Sequence, residues 1–303
     1  MRYTLHQLNI FSAVARYKNI TKAAQSLNMT QPAVSIQLKQ LQESLDIPLI
    51  EFISNKLTLT EAGEELLEMH KKLIDLTDSY DQFISEMKGG LRGSLKISAA
   101  STAKYFLPYY LGKFQKKFPQ VKISLKITNR DEVLHHLHMN EYQIGILTQI
   151  PQDQSIISEP FLENPLVFAC HPEHSLLKKS PITIKDLKDE AFIFREKGSG
   201  TRMIMEKILH DSGIKPKIAM ELYTNEAVKQ AIMADIGVSL ISKISMPSEL
   251  KLGLIACFDT IKLPIQTYWH TLHKKDKVVT STIRNFLQFI KVGRHTVKNS
   301  HFQ

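Results

Sequence analysis

Cysteine is scarce: Cys170 and Cys257 are the only two in 303 residues, which excludes a disulfide framework. The pair reads as free thiols in a reducing compartment. A redox switch would need an exposed thiolate of low pKa, and no basic cluster flanks either cysteine. Long apolar runs are missing too. No stretch approaches the roughly 20 residues that cross a bilayer. In MRYTLHQLNIFSAV polar residues break every apolar run, which predicts no secretory leader and a cytoplasmic protein. Negative charge is in deficit, Asp+Glu 30 against Lys+Arg 39, and the resulting +9 favours a polyanionic partner without requiring one. Phosphate-binding glycine loops, nucleophile elbows and Cys/His metal cassettes are also lacking. The stretch Gly198-Ser199-Gly200-Thr201 fits neither a dinucleotide nor a Walker pattern, so no enzyme activity and no cofactor are expected.

What remains is an ordinary globular balance, 43% hydrophobic and 23% charged, in a chain long enough for two or three domains. Near the start, Leu5, Leu8, Phe11, Val14 and Ala15 recur at helical spacing and predict a helix ending near Lys18-Asn19. Thr21 is placed to cap a second short helix whose Ala23, Ala24 and Leu27 permit a close helix crossing, and Asn28-Met29 makes the turn. Thr30 is placed to cap a third helix with Pro32 in its first turn and Val34, Leu38, Leu41 and Leu45 as its buried stripe. Its opposite face carries Gln31, Ser35, Gln37 and Lys39, suited to base edges and phosphates, while Pro32 and Ala33 suit thymine methyls.

The stretch AAQSLNMTQPAVSIQLKQL, Ala23 to Leu41, resembles the helix-turn-helix signature of LysR-type regulators, and PLIE from Pro48 with LTLTEAG from Leu57 is similar to that family's wing. Residues 1–60 are then expected to be a winged helix-turn-helix that binds double-stranded DNA. Where most members carry Arg after the serine of the third helix, this chain has Ile36, and its wing keeps only Lys56. Phosphate anchoring is therefore expected from Thr21, Lys22, Thr30, Ser35, Lys39 and backbone amides.

From Ala62 the apolar residues Leu66, Met69, Leu73, Leu76, Tyr80, Phe83 and Met87 follow in alternating steps of four and three. That heptad seam predicts a linker helix over 61–88 that pairs with its own copy in a coiled coil, against the alternative of packing on the chain's own body. A dimer would present two recognition helices to a dyad-symmetric operator. Gly89-Gly90 and Gly93 supply a hinge over 89–94.

Beyond it, apolar runs and helical patterns alternate: strands Leu95–Ser98, Val121–Thr128 and Gln143–Leu147 with helices Thr102–Phe118 and Arg130–Met139 between them. Strands at Leu166–Cys170, Ala191–Phe194, Ile218–Leu222 and Val238–Ile241, with helices Thr201–Asp211 and Asn225–Asp235, repeat the rhythm. Strand Ile265–Leu272 and helix Val279–Ile290 return to the first block. The fold class is α+β multidomain: the N-terminal module, the linker helix, and a two-lobed α/β effector domain over 95–303 resembling type 2 periplasmic binding proteins. Lobe I takes about 95–160 plus 265–295, and lobe II about 161–264.

Two such lobes hold a ligand in the cleft between them. Helix starts at Ser101-Thr102, Ser199-Gly200-Thr201 and Thr224-Asn225 should converge there, and their hydroxyls and positive dipole ends suit an anion. Lys104, Arg130, Arg195 and Arg202 are the basic candidates, and Thr148 would face the same cleft. Equally, Ser and Thr cap helices everywhere, and the glycines of REKGSGT have a plain reading as a tight turn. His135, His136 and His138 lack a carboxylate or cysteine to complete a metal site, so they read as solvated helix surface, and Trp269 reads as core or strand edge.

The stretches STAKYF from Ser101, NRDEV from Asn129, FLENP from Phe161, REKGSGTR from Arg195 and NEAVKQA from Asn225 resemble the Calvin-cycle branch of the LysR family. That resemblance implies control of carbon-fixation genes such as those for RuBisCO, a small anionic or phosphorylated effector, a homodimer or homotetramer, and contact with RNA polymerase. Where the branch carries an Asp-rich strand and a Gly-Arg-Pro turn, this chain reads YQIGILTQIP from Tyr142. A secreted solute-binding protein and a nucleoid protein indifferent to sequence are the rivals. The first leaves residues 1–60 unexplained, and the second leaves the sensor domain without a purpose.

Overall fold

A computed structural model describes residues 3–54, 56–87, 91–179, 181–258 and 264–292. The chain divides into two compact units, Met1–Ile84 and Ser85–Gln303.

The first unit opens with α1 (Leu5–Tyr17), α2 (Ile20–Ser26) and α3 (Gln31–Leu45). Leu8, Ile10, Phe11 and Val14 of α1 meet Ala23 and Ala24 of α2 and Val34, Leu38 and Leu41 of α3 in one buried core, while Leu5 stays exposed. One cap differs from expectation. Asn19, extended at φ −158°, accepts the Lys22 N–H at 2.9 Å and starts α2, so Thr21 lies inside the first turn. The left-handed Lys18 before it turns the chain and places Asn19 one helical position ahead of Ile20. Thr30 caps α3 as expected, accepting from Ala33 N–H.

Strands β1 (Ile50–Ile53) and β2 (Lys56–Leu59) then pair antiparallel as a hairpin. Helix α4 (Glu61–Met87) follows. Thr60 ties its start to the hairpin, donating to the Pro48 carbonyl at 2.7 Å and accepting from Gly63 N–H at 3.1 Å. A Cβ at Gly63 would lie 2.1 Å from the Leu49 carbonyl oxygen, so only glycine permits this approach. Leu67, His70 and Lys71 of α4 are buried, whereas Met69, Leu76, Tyr80 and Phe83 are more than half exposed. Within the first unit the heptad seam of the sequence is therefore exposed at these positions. The Met87 side chain and Gly89-Gly90 lie outside the described residues.

The second unit begins with β3 (Gly93–Ala100), in which Gly93 and Ser94 already pair with Val121 and Lys122. They are strand, and the expected hinge does not extend over them. The helix expected from Thr102 is split into a 3-10 turn at Ser101–Tyr105 and α5 (Leu107–Lys117), because Pro108 suits only a first helical turn. Next come β4 (Val121–Thr128), α6 (Arg130–His138), β5 (Ile144–Leu147) and the long β6 (Ile156–Cys170). After these run β7 (Ala191–Arg195), α7 (Gly200–Asp211), β8 (Lys217–Leu222), α8 (Asn225–Met233), β9 (Ser239–Ser242), α9 (Pro247–Lys251) and β10 (Ala256–Cys257). The described chain closes with β11 (Ile265–Lys274) and α10 (Ser281–Val292).

Two cores result. Around β3–β5, Phe106, Tyr110, Phe114, Trp269 and Phe286 are fully buried, each large apolar side chain stabilising its lobe by roughly 1.5–3 kcal/mol. Around β7–β9, Phe168, Phe192, Phe194, Met205 and Leu209 form the other. The two are joined by a ribbon in which β6 pairs antiparallel with β11 from Ile156↔Lys274 to Leu166↔Ile265. A bulge interrupts it between Trp269 and His270, where Phe161 is the extra residue on β6. Phe161 and Leu162 pack in the first core and Leu166 in the second, so both strands pass from one lobe to the other.

Candidate DNA interface and ligand cleft

On α3 the side opposite the buried stripe presents Gln31, Pro32, Lys39 and Gln40 exposed, with Ala33, Ser35 and Gln37 half-buried beside them. Gln31 Nε2 donates to Ser35 Oγ at 2.9 Å, which holds the amide over the first turn of the helix. Ile36 is 54% exposed in the middle of this face. Lys39 pairs with Glu43 one turn on at 3.6 Å, both exposed, a contact of small worth that a phosphate can displace. Thr21 and Lys22 are exposed in the first turn of α2 and Thr30 at the start of α3, and Lys56 stands on the hairpin. Phe52 and Ile53 of the hairpin are also exposed, at 64% and 56%.

In the second unit a cleft open to solvent lies where the two lobes meet. Ser101, Thr102, Arg130, Thr148, Arg195, Ser199, Gly200 and Thr201 line it. Ser199 begins α7 without a side-chain cap, so the amide groups of the first turn are left for a ligand, together with the positive helix end. The glycines of this loop have a geometric cause. Gly198 sits at φ +86°, with Asp131 Oδ2 2.9 Å from where a Cβ would be, and a Cβ at Gly200 would crowd Thr148 Oγ1 at 3.2 Å. They let α7 of one lobe approach β5 and α6 of the other.

Lys104, Arg202 and Asn225 are not in the wall of the cleft. Arg202 is buried and engaged through Nε and Nη1, donating to the Arg195 carbonyl at 2.8 Å, to Glu221 at 2.6 Å and to Glu206 at 2.7 Å. Its guanidinium also lies over the Phe194 ring. Lys104 pairs with Glu226 at 3.7 Å. Asn225 is buried and bridges the lobes, accepting from Arg195 Nη1 and donating to Thr102 Oγ1 at 2.7 Å. Thr224 caps α8 internally by accepting from Ala227 N–H, so this third helix start offers less to a ligand than the other two.

Arg195 is likewise engaged. It makes a bidentate pair with Glu196, at 2.7 and 2.9 Å, and donates across the cleft to Ser101 Oγ at 3.1 Å. Tyr105 O–H donates to Glu226 at 2.6 Å, a further bond between lobes, and burial together with Glu226 raises the Tyr105 pKa. The lobes are thus fastened by Arg195–Ser101, Asn225–Thr102 and Tyr105–Glu226.

Asn129, Asn164, Glu196, Ser242 and Trp269 also line the cleft and were not assigned to it from the sequence. The first three fall inside the NRDEV, FLENP and REKGSGTR stretches, which was a signal, whereas nothing marked Ser242, and Trp269 was read as core or strand edge. Burial pushes the Cys170 thiol up to about 12 and that of Cys257 up to about 11, so both are protonated near neutral pH. Among the described residues no group of three His, Cys, Asp or Glu could hold a metal ion, and no helix is long and apolar enough to cross a membrane.

Comparison with known proteins agrees with this architecture. Residues 5–64 match the bacterial regulatory helix-turn-helix protein model of the lysR family, and residues 88–293 match the LysR substrate binding domain. The chain is 37% identical over 287 residues to the HTH-type transcriptional activator CmpR of Synechocystis, covering 95% of this chain and 94% of that one. It is 37% identical to a RuBisCO operon transcriptional regulator of Acidithiobacillus ferrooxidans, with 95% and 93% covered. The regulatory domain of Synechocystis CcmR, solved in complex with 2-PG, superimposes with a TM-score of 0.64 at 35% identity, over 67% of this chain and 97% of that one. With a helix-turn-helix model and a substrate-binding-domain model together matching most of its length, the chain belongs to the LysR family of bacterial regulators.

Proposed function

We propose that the chain is a sequence-specific transcriptional regulator that binds a dyad-symmetric operator and adjusts its grip in response to a small phosphorylated anion. Residues 1–60 read DNA, 61–88 pair two copies, and 95–303 sense the ligand. The observation that carries this reading is one chain holding both an exposed polar face on a Thr30-capped helix and a cleft walled by an uncapped helix start. In the first, Gln31 and Ser35 address base edges while Thr21, Lys22, Thr30, Lys39 and Lys56 address phosphates. In the second, the α7 amides, Ser199 and Thr201 seat the anion, and Arg130 balances its charge. The exposed seam of α4 supports a homodimer, which can assemble further into a tetramer. Ligand binding across the cleft stabilises one lobe arrangement over another by about 1–3 kcal/mol, enough to re-angle the paired DNA-binding domains.

The named relatives point the target genes toward carbon metabolism, such as a RuBisCO operon, with activation through RNA polymerase as the main output and repression of its own promoter beside it. Footprinting at fixed salt on the intergenic region upstream of its gene, with and without 2-phosphoglycolate, tests the reading. Protection of a dyad-symmetric site whose extent changes with the compound is expected. Uniform coating of all DNA would favour a nucleoid protein. Thr201→Ala should blunt the response to 2-phosphoglycolate and leave operator binding intact, and the reverse pattern would remove Thr201 from the effector site.

A further inference from the structure

The hydrogen-bond account of the cleft leaves two donors without partners. Trp269 is 1% exposed and lines the cleft, yet its indole Nε1–H meets no acceptor. Arg130 lines the cleft as well, and its buried Nε has no partner although Nη1 reaches Asp131 Oδ1 at 3.3 Å. The other cations nearby are not in this condition, since Arg195 and Arg202 donate to carboxylates through the same nitrogen. A buried N–H left without a partner is destabilising, and such a cost persists where a ligand removes it.

Local structure explains how Trp269 comes to be there. The bulge in the β6–β11 ribbon falls between Trp269 and His270, turning the strand where it enters the lobe. The Trp269 ring packs against Phe106, centroids 5.0 Å apart, which fixes it on the apolar side. Apolar packing thus holds the indole in place while its single polar atom is left unanswered.

We infer that Trp269 and Arg130 form a second ligand subsite, in which the indole N–H and the guanidinium Nε–H donate to a carboxylate at the far end of a short phosphorylated acid. The inference rests on the effector reading above, which seats the phosphate at the α7 start. It goes further in making Trp269 and Arg130 the residues that choose a phosphorylated carboxylic acid over a plain phosphate ester. Both are binding residues, and neither takes part in any reaction.

The test compares two probes of nearly equal shape on the full chain by titration calorimetry: 2-phosphoglycolate, and ethyl phosphate, which has a methyl group where the other has its carboxylate. Trp269 is the chain's one tryptophan, so in the wild type and in Arg130→Lys its emission reports on the same site. The wild-type chain is expected to prefer 2-phosphoglycolate by about tenfold or more, on the scale of hydrogen bonds to a charged group. Trp269→Phe keeps the ring packing and loses the donor. Arg130→Lys keeps the charge and loses Nε–H. Each should weaken 2-phosphoglycolate by about tenfold and leave ethyl phosphate within twofold. Equal losses for both probes in both variants, or no loss for either, would overturn the subsite while leaving the effector reading in place. A wild-type chain that binds neither probe would overturn the effector reading itself. Should Trp269→Phe not fold, Arg130→Lys decides the question alone.

Discussion

At the scale of single residues, the contacts of Gln31 say most about DNA recognition. Its amide is exposed at the start of α3 and steadied by Ser35, an arrangement that favours a two-point contact with one base over a loose phosphate contact. Gln31→Ala should therefore cost about 1–3 kcal/mol at one operator position, with little change on DNA altered elsewhere. Binding assays on a set of single-base operator variants would show it, and a uniform loss across the set would reassign Gln31 to the backbone. Most of this surface was legible, because Thr30, Pro32 and the Val34, Leu38 and Leu41 stripe fix which side of α3 faces outward. The cleft was less so. Asn225, Arg202 and Lys104 carry the right chemistry, but whether a side chain faces a ligand or another side chain depends on partners distant in sequence. Arg202 finds Glu221, and Asn225 finds Thr102 more than a hundred positions away. Trp269 was read as core or strand edge, which described its ring and missed its nitrogen.

At the scale of elements, α4 has two faces with different tasks. Leu67, His70 and Lys71 turn inward, and Met69, Leu76, Tyr80 and Phe83 turn outward. Leu76→Glu with Phe83→Glu should leave the monomer folded and prevent pairing, lowering the mass measured by light scattering to that of one chain. A mass unaltered would place the dimer contact elsewhere. The inward face adds a pH dependence. Burial holds the His70 pKa below its ordinary 6.5, and Nδ1 has no partner. The unfolded chain then binds the proton more readily than the folded one, so stability is full above pH 6.5 and declines as pH falls through the folded value. Chemical denaturation at pH 7.5 and pH 5.5 should show the decline, and His70→Gln should reduce it. The rhythm of strands and helices was visible in the sequence, but the length of β6 was not. Only Leu166–Cys170 was expected as strand, whereas β6 starts at Ile156 and contains Pro160 and Pro165. They are tolerated because that half of β6 pairs only with β11, leaving its other edge free of the ladder.

At the scale of the whole molecule, the bonds Arg195–Ser101, Asn225–Thr102 and Tyr105–Glu226 favour a closed cleft before any ligand arrives. A population already closed in part binds more tightly, because less of the ligand's energy goes to closing it. Asn225→Ala removes one of the three, and the Kd for 2-phosphoglycolate should rise about five- to tenfold, equivalent to one net hydrogen bond of about 1–1.5 kcal/mol. An unaltered Kd on calorimetry would mean that the ribbon of β6 and β11 alone sets the closed state. The hairpin beside the recognition helix bears on a different property. Between Ile50 and Leu59 it carries one cation, Lys56, and exposes Phe52 and Ile53. Each phosphate left without a cationic neighbour keeps its condensed counterion, and the logarithm of affinity then falls less steeply with the logarithm of salt concentration. A regulator with such a wing stays on its operator through rises in potassium that would release one with arginines there, so osmotic stress need not silence the genes it serves.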